Sequence, residues 1–66
     1  MDLYMNEKIE AELRTCLGKI DELRMDLKRL ESDNPKDKYN ITVTHDRLAY
    51  WEGKSDGLRF ALEHIR

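Results

Sequence analysis

Apolar side chains recur at alternating spacings of four and three residues through both halves of this chain. Such a heptad repeat lines up along one side of an α-helix and buries that side against another helix. Two repeats within 66 residues predict an all-α fold of two helices. Thr44 and Ser55 also stand at repeat positions. We call the apolar positions the apolar seam, and they are Ile9, Leu13, Cys16, Ile20, Leu23, Leu27, Leu30, Ile41, Leu48, Trp51, Leu58, Leu62 and Ile65.

The repeat is interrupted once, at the tetrad Ser32-Asp33-Asn34-Pro35. The residue before a proline is pushed out of helical geometry, so we expect the first helix, about residues 2–32, to end there. Asn34 is a favoured N-cap and Pro35 fits a first helical position. A turn at 33–34 and a second helix over about 35–65 follow, folded back antiparallel as one helical-hairpin domain, 1–66.

Two details of this hairpin are the conformation of residues 36–43 and the residue that lies opposite Trp51. The run Ile41-Thr42-Val43-Thr44 is β-branched, so residues 36–43 could be extended. We favour helix, because the phase of this run matches the heptads that follow it. Pairing residues around a turn at 33–34 puts Trp51 opposite Cys16, where a small thiol would complement a large indole.

The size of the chain predicts association with a second copy. A 66-residue chain buries only about 60% of its unfolded surface, which barely offsets the ordering entropy. Its single cysteine allows no internal disulfide, and His45 and His64 lack the spacing of a zinc site. We therefore expect no metal and no cofactor, and a homodimer in the form of an antiparallel four-helix bundle.

No residue pattern points to catalysis, so we predict a protein that is not an enzyme. Paired carboxylates such as Asp21 and Glu22 are surrounded by basic residues on a helix surface. A nucleophilic cysteine needs exposure and a neighbouring base, whereas Cys16 occupies a seam position. The predicted set of catalytic residues is empty.

A second stripe on the second helix is the candidate interface, and its members are Tyr50, Gly53, Gly57 and Phe60. They share one face, roughly opposite the apolar seam. Each glycine costs a helix about 1 kcal/mol relative to alanine, and small residues allow another backbone to approach closely. The stripe is either the dimer contact or a site for a target. A weaker stripe on the first helix consists of Tyr4, Ala11, Gly18 and Met25.

The charge of the chain argues against nucleic acid as its main partner. Twelve basic and 14 acidic residues give a net charge of -2, without the basic excess of a nucleic-acid-binding domain. One basic cluster near the turn keeps the alternative open: Arg24, Lys28, Arg29, Lys36 and Lys38. The apolar runs are too short to cross a membrane, and the first residues do not resemble a signal peptide, so we expect a cytoplasmic location.

The stretch Leu48-Ala49-Tyr50-Trp51-Glu52-Gly53-Lys54-Ser55-Asp56-Gly57-Leu58-Arg59 resembles a pattern of small, mostly uncharacterised helical-hairpin accessory proteins of phages and bacteria. That resemblance implies a short protein that binds and blocks, or adapts, a larger protein. The hairpin is also similar in architecture to the plasmid copy-control protein Rop, whose dimer is a four-helix bundle that binds paired RNA loops. Shared architecture does not by itself carry function.

Three functions remain, in order of preference. The first is a non-enzymatic regulator that acts through protein–protein contact, such as a phage-type inhibitor of a larger bacterial protein. The second is an RNA- or DNA-binding helical bundle of Rop-like architecture. The third is a structural oligomerisation module without a client.

Overall fold

The computed structural model describes residues 3–64, with side chains from residue 5 onward. Two α-helices, α1 (Leu3–Asp33) and α2 (Lys38–His64), make up this part of the chain, and it contains no strand. They pack against each other along a rod of 49 × 14 × 12 Å. The predicted all-α fold is thereby confirmed. Neither described helix has an apolar stretch long enough to cross a membrane.

The turn between the helices comprises residues 34–37 and is built around Pro35. The N–H of Asn34 donates to the carbonyl of Leu30 at 2.8 Å, which extends the hydrogen bonding of α1 to its end. The N–H of Asp37 donates to the carbonyl of Asn34 at 3.0 Å, so residues 34–37 form a β-turn. Proline stands at the second position of that turn, where its fixed φ angle is favoured.

Asp37 caps the second helix. Its Oδ1 accepts the backbone N–H of Asn40 at 3.3 Å, and its Oδ2 accepts the side-chain amide of Asn40 at 2.7 Å. The expected turn at 33–34 and the expected start of the helix at Pro35 are corrected to a turn at 34–37 and a start at Lys38. Pro35 suits both a β-turn and a first helical position, and the capping carboxylate decides for the turn.

The segment that could have been extended is helical from Lys38 onward. Thr44 ends its β-branched run and is buried in the seam. Its hydroxyl donates to the carbonyl of Asn40 at 2.7 Å, which removes the cost of burying a polar side chain there. Of residues 36–43, only the first two therefore belong to the turn.

The seam lies between the helices, but it is only partly enclosed. Cys16, Ile20 and Leu27 are buried, together with Thr44 and Ser55. The hydroxyl of Ser55 donates to the carbonyl of Glu52 at 3.0 Å. The half-buried seam residues are Ile9, Leu13, Leu23, Leu30, Ile41, Leu48, Trp51, Leu58 and Leu62. Ile65, the last residue of the expected seam, lies outside the described part of the chain.

The register of the two helices is shifted relative to the expected one. Leu23 lines a groove with Trp51, Leu30 lines another with Thr44, and Ile20 a third with Ser55. In these pairs the residue numbers add to 74 or 75, rather than to about 67 as expected from a turn at 33–34. Trp51 therefore lies across from Leu23 and not from Cys16. The later turn accounts for part of the shift, because a turn at 34–37 pairs residues whose numbers add to about 71.

Candidate interaction surfaces

The candidate interface on α2 lies on the outer side of the hairpin. Tyr50 is 61% exposed and Phe60 is 62% exposed, while Gly53 and Gly57 between them are also exposed. A Cβ atom added at either glycine would have no neighbour within 4 Å. The structure therefore brings these four residues onto one open face, which we call the outer stripe.

Each aromatic ring of the outer stripe is held by a neighbour on its own helix. Tyr50 meets the ring of Trp51 edge-on, with the centroids 5.2 Å apart. Phe60 is stacked on the His64 ring at 3.9 Å, and Nδ1 of His64 lies 2.8 Å from the carbonyl oxygen of Phe60. Rings held in this way lose little conformational entropy when a partner covers them.

The glycines of the outer stripe have no structural role inside the hairpin. Their φ angles are negative, so an alanine would adopt the same backbone conformation. Alanine would also be the better helix former by about 1 kcal/mol at each position. Glycine at these two positions leaves the backbone of α2 uncovered by side chains, so a second molecule could approach it closely.

The corresponding stripe on α1 is less distinct. Met25 is 65% exposed, and Gly18 has open space around it like the glycines of α2. Ala11 is exposed between Gly18 and the start of the helix. The side chain of Tyr4 lies outside the described part of the chain. With a single glycine and no described aromatic side chain, this stripe is the weaker candidate.

The seam is accessible from two opposite faces of the hairpin, and among the described residues only one of these faces is bridged by an ion pair between the helices. On one face, Arg24 of α1 reaches across to Glu52 of α2, with Nη2 and Oε2 3.2 Å apart. On the other face lies an open groove with Leu23 and Trp51 at its floor and charged residues at its rim. We call it the tryptophan groove, and its residues are Lys19, Glu22, Leu23, Asp26, Arg47 and Trp51.

The side chains that could react or bind a metal are dispersed over the hairpin. Cys16 is 1% exposed and lies within the seam, while His45 is exposed near the turn. Within residues 3–64, no three His, Cys, Asp or Glu side chains are grouped so that they could hold a metal ion. Asp21 and Glu22 are exposed on α1, and Glu22 pairs with Lys19 at 3.8 Å. The structure therefore does not bring Cys16, His45 and these carboxylates together within the described part of the chain.

The basic cluster near the turn is partly neutralised by acidic neighbours. Arg24 is paired with Glu52, and Arg29 lies 3.8 Å from Asp26. Lys28, Lys36 and Lys38 are exposed around the end of the hairpin. A phosphate backbone would have to compete with carboxylates for two of these five cations, which weakens the electrostatic attraction on which nucleic-acid binding depends.

Comparison of the chain with protein-family models, with curated proteins and with solved structures gives no match. The resemblance to accessory proteins of phages and bacteria therefore stays a prediction.

Proposed function

We propose that this protein is a small non-enzymatic regulator that acts in the cytoplasm through protein–protein contact, as a phage-type inhibitor of a larger bacterial protein does. The helical rod presents the outer stripe to a groove or a subunit interface of its target. Binding there would block the target sterically, without chemistry on either partner. We further propose that the active form is a homodimer.

The observation that carries this proposal is the outer stripe itself. Two exposed aromatic rings, each supported by a neighbour, flank two glycines at which the backbone lies open. Aromatic residues are enriched among the side chains that dominate binding energies at protein interfaces. Glycines between them let a partner backbone come close. The nucleic-acid alternative has less support, because two arginines of its basic cluster are already paired.

Affinity capture with matched variants tests the proposal. Tagged wild-type protein, a Gly53→Leu/Gly57→Leu variant and a Gly18→Leu control are each exposed to a lysate of the bacterial host. All three substitutions point into open space, so each hairpin should stay folded. We expect one protein to be captured by wild type and by the Gly18→Leu control, but not by the double variant. Equal capture by all three, or capture of nucleic acid instead, would refute the proposal.

A further inference from the structure

The hairpin exposes more surface than a compact protein of its mass. It has 5251 Å² of accessible surface at 7.9 kDa. A compact monomer of that mass exposes about 4,400 Å². The excess of about 850 Å² is close to the area that each partner loses in a protein–protein interface of standard size. The exposed seam contributes to this excess, because nine of its residues are only half-buried.

Of the two faces on which the seam emerges, the tryptophan groove is the better docking surface. The opposite face is crossed by the Arg24–Glu52 ion pair, which ties the two helices together above Ile20 and Ser55. The tryptophan groove carries no such bridge: Asp26 and Arg47 stand on its opposite rims without pairing with each other. Among the described residues, Arg47 has no ion-pair partner at all.

We propose that a second copy of this chain covers the tryptophan groove, related to the first by a two-fold axis parallel to the helices. This rotation places α1 of one copy against α2 of the other, so every pair of neighbouring helices is antiparallel. It also leaves each residue at its own level along the rod. Residues that share a level within the hairpin, such as Asp26 and Arg47, therefore share a level across the interface.

The charges along the rims of the groove favour this arrangement. The charged residues that line the groove are Lys19, Glu22 and Asp26 on the α1 rim and Arg47 on the α2 rim. By heptad position, Glu12 continues the α1 rim and Lys54 continues the α2 rim. The two-fold axis faces the Asp26 of each copy with the Arg47 of the other. A perpendicular axis would instead set the α2 rims against each other, and both of those rims are basic. Like charges in register across an interface disfavour that alternative.

At one level along the rod, two positive charges would face each other across the interface. Each of them is partly compensated by a neighbouring group. Lys19 of one copy would stand near Lys54 of the other. Lys19 has Glu22 at 3.8 Å, and the Nζ of Lys54 lies 5.2 Å from the centroid of the Trp51 ring. The remaining rim acid, Glu12, lies beyond this level and faces no cation of the second copy. Lys19→Glu should therefore tighten the dimer.

This inference deepens the proposed homodimer and leaves the target site separate. In a four-helix bundle of this kind, the outer stripe of α2 points away from the core and stays accessible. Capture of a target depends on Gly53 and Gly57, whereas dimerisation depends on the groove. Either proposal can therefore fail while the other holds.

Charge reversal with mixing distinguishes contacts between copies from contacts within one chain. Asp26→Arg and Arg47→Asp are each prepared alone, and circular dichroism at concentrations high enough for each to dimerise checks that both exposed substitutions leave the helices intact. Each variant alone should dimerise about tenfold more weakly or worse, because symmetry creates two repulsive pairs per dimer. An equal mixture of the two should form a heterodimer about as tightly as wild type, since both of its cross-copy pairs are then attractive. Sedimentation and native mass spectrometry measure these species.

The matched control reverses the pair on the opposite face. Glu52→Arg mixed with Arg24→Glu should show no preference for the heterodimer, because that pair lies within one chain. If the mixture of Asp26→Arg and Arg47→Asp dimerises no better than each variant alone, the second copy does not cover the tryptophan groove. Wild-type protein that stays monomeric would overturn the inference as well.

Discussion

The two sides of α2 carry repeats of the same spacing but have opposite roles in the hairpin. On the inner side, Leu48, Ser55 and Leu58 contribute to the seam with α1. On the outer side, Gly53 and Gly57 lie in open space between two exposed rings. The inner side stabilises the fold, whereas the two glycines of the outer side weaken the helix and meet no neighbouring atom within 4 Å. A periodic pattern thus identifies a surface that is to be covered, but it does not identify what covers it.

The largest effect should follow from truncating the inner side. Ile20 is 5% exposed, so Ile20→Ala should lower the free energy of unfolding by about 3 kcal/mol through lost burial and a cavity. Tyr50→Ala on the outer side should change it by less than about 0.5 kcal/mol. Urea denaturation of both variants measures the contrast. Equal destabilisation would mean that the two sides do not differ as described.

Substitution of the outer glycines should act in the opposite direction. Gly53→Ala/Gly57→Ala should raise the free energy of unfolding by about 2 kcal/mol, because each alanine favours the helix and meets no neighbour. The same variant should bind the target less tightly if a backbone packs against the glycines. Thermal unfolding followed by circular dichroism gives the first quantity. A destabilised variant would show that the glycines have a role inside the folded protein.

A smaller effect is expected at the turn, where the structure departs from the sequence-based expectation. Asp37→Ala should cost about 1 kcal/mol, because it removes the acceptor for the N–H of Asn40. Asn34→Ala should cost less, since Asn34 takes part in the turn through its backbone. The same denaturation experiment compares them. A larger loss at Asn34 would favour the earlier start of the helix that the sequence had indicated.

The seam could be predicted from sequence because its period is intrinsic to the helix and runs unbroken through both halves. The turn could not, because Pro35 suits two local structures and the choice depends on the cap that Asp37 provides. The later turn also contributed to a shift of the register between the two helices. Such a shift brings seam positions against seam positions again, so the pattern gave no sign of it. Trp51 was therefore placed opposite Cys16, whereas it lies across from Leu23.

The outer stripe was also predictable as a set of residues sharing one face, and the structure places all four of them there. The role of the outer stripe could not be predicted, because exposure, charge and helix propensity are properties of one chain and say nothing about its partner. The tryptophan groove was not anticipated at all. It depends on the observed register, which brings Asp26 and Arg47 to the rims of one groove.

Sedimentation equilibrium of the wild-type protein shows whether a second copy of the chain completes the seam. Over a micromolar concentration range, we expect a particle of twice the 7.9 kDa chain mass that dissociates on dilution as its helical signal falls. A monomer of 7.9 kDa that remains fully helical and unfolds cooperatively at the same concentrations would contradict it.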